Sequence, residues 1–375
     1  MNDFFIADDL SGALDAAAAF HHAGRRVRIV LSASDWTASD GEIVGVTTET
    51  RNASPLIAAS AVERAIAHGR AQGARLVYKK IDSTVRGPVA AEIGALARQL
   101  PGARILFTPA NPGVGRTVRN GVLLVRGVPV SETEFARDPV SPVTESNLYR
   151  LLGDAGGTGL VVADAANEAD LTAAVARMEA EGGEWVAVGS GALARPVAAL
   201  GAGEKQRAKI EDTPAPPAGP GLMICGSAQA GNRAQAAALA RERGIPVHEL
   251  RISDPGPAIA AVIASLRAGG GASLLVEEAR GASVTVLRIL TAAAMEIIAA
   301  TGTARLFATG GETAFALCGA LGIQALRFGD ELESGMSLSH AATERGPLLL
   351  AIKNGGFGVA ETWVRAWDGL RAWHG

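Results

Sequence analysis

Residues 76–100 read LVYKKIDSTVRGPVAAEIGALARQL. Leu76–Ile81 is a short apolar run carrying two lysines near its end, and it predicts a β-strand. Val89–Leu100 repeats its apolar residues at helical spacing, and Pro88 suits the opening position of a helix. The turn between them gathers Lys79, Lys80, Asp82, Ser83, Thr84 and Arg86. Cations, hydroxyls and a helix N-terminus in one turn are the chemistry of an anion site. Alternation along the strand directs only one of Lys79 and Lys80 towards it.

The same strand–turn–helix rhythm extends in both directions. Before this stretch, strands are predicted at Phe4–Asp8, Arg26–Leu31 and Ile43–Thr47. After it they fall at Arg104–Thr108, Gly159–Ala163 and Trp185–Gly189, with helices such as Leu56–Gln72 and Glu168–Glu181 between. A second series starts at Leu222–Cys225. It continues through Val247–Leu250, Ser273–Val276, Arg305–Ala308, Ala325–Phe328 and Leu348–Ile352, again with helices between. Strands alternating with helices of this length predict α/β domains with doubly wound, mainly parallel sheets. Such sheets bind ligands beyond the carboxyl ends of their strands, so the informative residues should follow strands directly. Thr117–Val130 departs from the rhythm. Its Asn120-Gly121 pair predicts a β-hairpin inserted in the first domain.

A chain of 375 residues exceeds what one core usually supports. The Pro-rich stretch 213–221 predicts a linker, with domains at 1–212 and 222–375 and a ligand cleft expected between them. The net charge of -3 gives no basic footprint for nucleic acid. The acidic start MNDFFIADDL does not resemble a signal peptide, and no apolar run is read as long enough to span a bilayer. Two cysteines, Cys225 and Cys318, exclude a disulfide framework and fit a reducing cytoplasm.

Other strand ends carry chemistry. Ile6–Ala13 reads IADDLSGA, placing Asp8 and Asp9 where a strand gives way to a helix. Paired acids there can accept a hydroxyl proton or hold a cation, although one of them can equally cap the helix. Arg51 is a further strand-end cation. The rigid turn Thr108–Arg116 carries Asn111 and Arg116. In the second half, Gly226-Ser227, the run Thr309-Gly310-Gly311-Glu312-Thr313 and the run Lys353-Asn354-Gly355-Gly356-Phe357-Gly358 each follow a predicted strand. Glycine lets backbone amides approach a ligand, and three such turns in one domain suit a phosphorylated one. No G-x-x-x-x-G-K-[ST] and no G-x-G-x-x-G after the first strand occurs, which excludes a P-loop and weakens a dinucleotide reading.

These motifs together resemble the four-carbon acid sugar kinase family. The resemblance rests on IADDLSGA, on KKIDSTVRG at Lys79–Gly87, on PANPGVGRT at Pro109–Thr117 and on GVPVSET at Gly127–Thr133. It continues with Asp138-Pro139, Gly226-Ser227, TGGETA and KNGGFG, in order along nearly the whole chain. Glu312 stands where the family pattern has Asp. The resemblance implies a sugar-acid-binding first domain, a nucleotide-binding second domain, and ATP with Mg²⁺ as cofactors. It implies phosphorylation of a terminal hydroxyl on a tetronate-like acid. The substrate set it implies is Asp9, Arg51, Lys80, Asp82, Ser83, Thr84 and Arg86. The ATP set is Ser227, Gly310, Gly311, Glu312, Thr313, Gly355, Gly356, Phe357 and Gly358. Asp9, with Asp8 as the alternative, is the expected group at the attacking hydroxyl. The metal ligands are not assigned. A dinucleotide-dependent oxidoreductase and a non-catalytic acid sensor are the competing readings. The expected partner is a small sugar acid, with neither nucleic acid nor membrane, and a homodimer is the commonest assembly.

Overall fold

The computed structural model describes residues 2–200, 218–227, 229–277 and 284–373, so most of the Pro-rich linker lies outside the described residues. The chain divides into two compact units, Met1–Lys209 and Ile210–Gly375.

In the first unit the chain runs β1 (Asn2–Ala7), α1 (Leu10–His22), β2 (Arg26–Val30), β3 (Glu42–Thr47), α2 (Pro55–Ala71), β4 (Ala74–Lys80) and α3 (Val89–Gln99). It continues with β5 (Arg104–Thr108), β6 (Arg116–Arg119), β7 (Val122–Val125), β8 (Val128–Pro129), α4 (Leu148–Leu152), β9 (Leu160–Val162), α5 (Glu168–Glu181), β10 (Trp185–Gly189) and α6 (Gly191–Leu200). The main sheet has the order β2-β3-β1-β4-β10-β5-β9, and every pairing is parallel. Its central strands read as continuous apolar runs because helices cover both faces. Phe4, Phe5 and Ile6 of β1 are fully buried, and Phe5 stacks on Phe20 of α1 with centroids 5.3 Å apart. The expected hairpin is present as β6–β7, and β8 joins it to make a separate antiparallel sheet of three strands.

The second unit comprises β11 (Gly221–Cys225), α7 (Ala230–Arg243), β12 (Val247–Leu250), α8 (Gly256–Arg267), β13 (Ala272–Val276), α9 (Val284–Thr301), β14 (Arg305–Thr309) and α10 (Gly311–Ala320). Then follow β15 (Ala325–Glu333), β16 (Met336–Thr343), β17 (Gly346–Lys353) and α11 (Thr362–Ala372). The order is β12-β13-β11-β14-β17-β16-β15. The first five strands are parallel, whereas β15, β16 and β17 form an antiparallel meander. Sequence reading misses β16. Its MSLSHAAT pattern is short and polar, yet pairing on both edges buries Ser337, Ser339 and His340.

One further expectation is corrected here. Helix α9 is 18 residues long with mean hydropathy 1.7, so an apolar segment of membrane-spanning length does exist. Its Val286, Leu290, Ala293, Ala294, Ile297 and Ile298 are buried, and α9 packs on α8 and α10 as a core helix of this unit.

Candidate functional site

Strand register places the chemistry of the first unit. Thr47, Ala7, Lys80, Gly189 and Thr108 lie level across β3, β1, β4, β10 and β5. The turns that follow them therefore emerge side by side at the carboxyl edge. Backbone bonds weld these turns together: Thr48 N–H donates to Ala7 O at 2.9 Å, Thr50 N–H to Asp8 O at 2.9 Å, and Ile81 N–H to Gly189 O at 2.9 Å.

Arg51 sits at the centre. Its Nε and Nη2 donate to Asp8 at 2.8 and 2.9 Å, and its Nη1 and Nη2 donate to Asp9 at 2.6 and 2.7 Å. One guanidinium fork thus grips both adjacent carboxylates, the geometry for which Arg is suited. Asp9 also caps α1, accepting from Gly12 N–H at 2.6 Å and from Ser11 Oγ at 2.6 Å. All the lone-pair directions of Asp9 are therefore occupied. Asp8 is 2% exposed. Burial alone would raise its pKa, but the charges of Arg51, Lys79 and Lys80 outweigh that and hold it below the usual carboxylate range. Gly12 is required by this packing: a Cβ there would lie 2.5 Å from Asp9 Oδ1 and 3.2 Å from Lys80 Nζ.

The two neighbouring lysines part company as strand alternation demands. Lys79 turns inward to Glu92 of α3 at 2.9 Å, both side chains being buried. Glu92 accepts in turn from Thr50 Oγ1 at 2.6 Å, and Thr50 shares a hydrogen bond with Thr48 at 2.7 Å. This buried chain fixes the Thr48–Arg51 turn from behind. Lys80 keeps to the strand-end side, 3.5 Å from Asp15 of α1 and 3.1 Å from the Ile81 carbonyl.

Asp82 organises the following loop. It accepts from Thr84 N–H at 3.1 Å, from the Thr84 hydroxyl, and from Arg86 Nε and Nη2 at 3.0 and 2.9 Å. Burial opposes its charge, yet Arg51, Arg86 and Thr84 hold its carboxyl far below the usual range. Arg86 also reaches Asp138 at 3.4 Å. The Ser83 hydroxyl has no hydrogen-bond partner among the described residues. Val85 adopts φ 56, an uncommon conformation for a β-branched residue. Such outliers concentrate at ligand sites.

Arg116 differs from the other cations. It and Arg86 both lie over the Phe135 ring, at 5.7 and 5.8 Å. Its Nη1 donates to the Val114 carbonyl and its Nε is buried without a partner. Among the described residues it forms no ion pair, unlike Arg51 and Arg86. Asn111 sits beside it through paired backbone bonds of 2.9 and 3.0 Å. A cavity of about 700 Å³ elsewhere in this unit, lined by Asn120, Tyr149, Asp164 and Asp170 among others, holds none of these strand-end charges.

In the second unit, Cys225, Thr309 and Lys353 lie level on the adjacent strands β11, β14 and β17. The three glycine turns that sequence reading singles out therefore emerge together. A Cβ on Gly226 would meet Thr313 Oγ1 at 2.8 Å, and one on Gly355 would come within 3.9 Å of the Gly310 Cα. Gly310 has φ 96, which glycine alone adopts at no steric cost, and α10 starts without a side-chain cap. The amides of Gly355, Gly356 and Gly358 have no hydrogen-bond acceptor among the described residues.

Lys353, which sequence reading does not select, holds the last turn in shape. Its ammonium donates to the carbonyls of Asn354, Gly355 and Phe357 at 3.0, 2.7 and 2.9 Å, and to Asn232 Oδ1 at 3.4 Å. Desolvation lowers its pKa to about 8, against the opposing charges of Cys225 and Glu333. Among the described residues, no cluster of three or more His, Cys, Asp or Glu is arranged to hold a metal ion.

Comparison with known proteins meets this geometry. Residues 4–159 match the family described as a sugar-binding N-terminal domain, and residues 222–362 match a nucleotide-binding C-terminal domain. A D-threonate kinase of Bordetella bronchiseptica is 34% identical, the match covering 98% of this chain and 96% of that protein. This chain belongs to the four-carbon acid sugar kinase family. A 3-oxo-tetronate kinase of Methylobacterium radiotolerans is 29% identical, over 97% of this chain and 98% of that protein. Among solved structures, a Bordetella bronchiseptica domain of unknown function, a domain-swapped dimer with bound citrate, is 33% identical. It covers 100% of both chains with a TM-score of 0.51. A Salmonella typhimurium protein described as a putative tRNA synthase shares the fold, with TM-score 0.78 at 22% identity over 97% of this chain and 98% of that one.

Proposed function

We propose that this protein is an ATP-dependent kinase that phosphorylates the terminal hydroxyl of a four-carbon sugar acid. The observation that carries the reading is the convergence in unit 2. Three glycine turns and an uncapped helix meet at the ends of three adjacent strands, and among the described residues the amides of Gly355, Gly356 and Gly358 have no acceptor, which suits a polyphosphate. Ser227, Gly310–Thr313 and Gly355–Gly358 hold the phosphates, and the half-exposed Phe357 offers a ring to the base. Bound ATP supplies the transferable phosphoryl group, with Mg²⁺ neutralising its charge. Mg²⁺ is commonly held by phosphates and waters with few protein ligands.

In unit 1, Arg116 and Lys80 receive the substrate carboxylate and hydroxyls, with Ser83 and Asn111 adding hydrogen bonds. Arg51, Asp8, Asp9, Asp82 and Arg86 form the charged frame that positions them. Phosphoryl transfer depends mainly on such positioning and on charge stabilisation. The citrate bound by the Bordetella relative is a small hydroxylated carboxylate, the same class of ligand. The domain-swapped assembly of that relative supports a homodimer for this chain as well.

A coupled assay for ADP release, run with Mg-ATP over D- and L-threonate, erythronate and 3-oxo-tetronates, tests the reading. At least one acid should raise ADP release well above the acid-free rate. A rate unchanged by every acid would refute the assignment.

A further inference from the structure

Asp8 and Asp9 are the carboxylates that sequence reading sets at the reacting hydroxyl, and both are already committed. Asp9 accepts four hydrogen bonds, and Asp8 is buried under the fork of Arg51. Asp8, held by Arg51 below the usual carboxylate range, is a weak base. Glu49 stands beside them and is different. It follows β3, between Thr48 and Thr50, whose amides are both tied to the end of β1. It adopts φ 51, a left-handed conformation uncommon for any residue but glycine. Anchored on both sides, the backbone has little freedom to relax this geometry. One Glu49 oxygen accepts from the Thr47 hydroxyl. Its other oxygen has no hydrogen bond among the described residues, and the residue is only partly buried.

We propose that Glu49 is the proton acceptor for the substrate hydroxyl during phosphoryl transfer. This rests on the kinase reading above and names a residue for its chemical step. The hydroxyl oxygen forms a bond to the γ-phosphorus of ATP. The bond from that phosphorus to the β,γ-bridging oxygen breaks, and ADP leaves with the electron pair. The hydroxyl proton passes to the unbonded Glu49 oxygen and from there to solvent.

The electrostatics agree with this role. Burial and the neighbouring charges of Asp9 and Asp8 push Glu49 up to about 8, against the Thr47 hydrogen bond and the Arg51 charge. Asp8 and Asp9 from the β1–α1 junction and Arg51 from its own turn are the charged groups facing it. A base is most effective when its pKa lies near the working pH. Asp8, held low by Arg51, is too weak for that.

The test is a pH series of kcat and KM for the wild-type enzyme, Glu49→Gln and Glu49→Asp, using the acid that supports ADP release. A proton acceptor must be ionised, so wild-type kcat/KM should fall about tenfold from pH 9 to pH 7, the titration expected of a group near 8. Glu49→Gln should lose about 10²-fold or more in kcat, with KM little changed and the pH dependence flattened. Glu49→Asp should keep part of the rate and of the pH dependence. Gln preserves size and hydrogen bonding, so a Glu49 that only binds or shapes the turn leaves Glu49→Gln near wild-type kcat. That result, or an unaltered pH profile in Glu49→Gln, overturns the inference while leaving the kinase reading intact. Absence of ADP release from the wild-type enzyme with every acid would instead remove the kinase reading, and this inference with it.

Discussion

Replacing Arg51 with methionine is expected to destabilise the first unit by about 3–5 kcal/mol, the range for breaking a buried ion pair from one side. The reason is local. Asp8 is 2% exposed and its hydrogen bonds come from this one guanidinium. Without Arg51, a buried carboxylate must either remain unpaired or take up a proton. Asp9 loses two of its four donors, so the start of α1 loosens as well. In a unit of this size the loss should lower the melting temperature by roughly 6–20 °C, and turnover should vanish with the frame. Arg51→Lys should fare little better, because one ammonium cannot replace a fork that spans two carboxylates. Adding Asp8→Asn to Arg51→Met should recover part of the lost stability by removing the orphaned charge. A thermal melt of Arg51→Met within about 1 kcal/mol of wild type would refute the account of this cluster.

The second large effect is expected at Lys353. Its ammonium draws the carbonyls of Asn354, Gly355 and Phe357 to one point, leaving the amides of Gly355, Gly356 and Gly358 unbonded. Lys353→Met leaves three carbonyls and Asn232 Oδ1 without their shared donor. An orphaned buried polar group costs about 1–3 kcal/mol, so the turn should abandon this conformation. Nucleotide affinity should fall by about 10²-fold or more, the equivalent of two such groups. Binding of the sugar acid alone should be unchanged, because the proposed acid site lies in the first unit. Titration of ADP by calorimetry reads the first quantity and titration of the acid reads the second. Unaltered ADP affinity in Lys353→Met would show that the turn needs no such support.

The contrast between these residues shows what a sequence can carry. The strand ends were legible because a parallel sheet places function at one edge, and the apolar runs mark that edge. Alternation alone separates Lys79 from Lys80, as the Glu92 and Asp15 pairings bear out. The glycine turns were legible as a set, since β11, β14 and β17 each end in one. Arg51 could be read as a strand-end cation but not as the partner of two aspartates 42 and 43 residues away. That pairing follows from β3 lying next to β1. Lys353 heads the KNGGFG run, but the glycines draw the reading, and its inward turn onto the carbonyls of that run is not written in its spacing. Glu49 depends on a backbone angle, which side-chain identity does not encode. Strand β16 was missed because serine and histidine read as loop, whereas pairing on both edges decides its structure.

A ³¹P NMR spectrum of the completed reaction, with ATP and the active four-carbon acid, addresses the whole scheme at once. Transfer to a terminal hydroxyl places phosphorus next to a methylene, so the new phosphomonoester signal should appear as a triplet when proton coupling is retained. A doublet would place the phosphate on a secondary hydroxyl, and inorganic phosphate as the sole new signal would mean hydrolysis without transfer. Either outcome would contradict the proposed arrangement of acid and nucleotide.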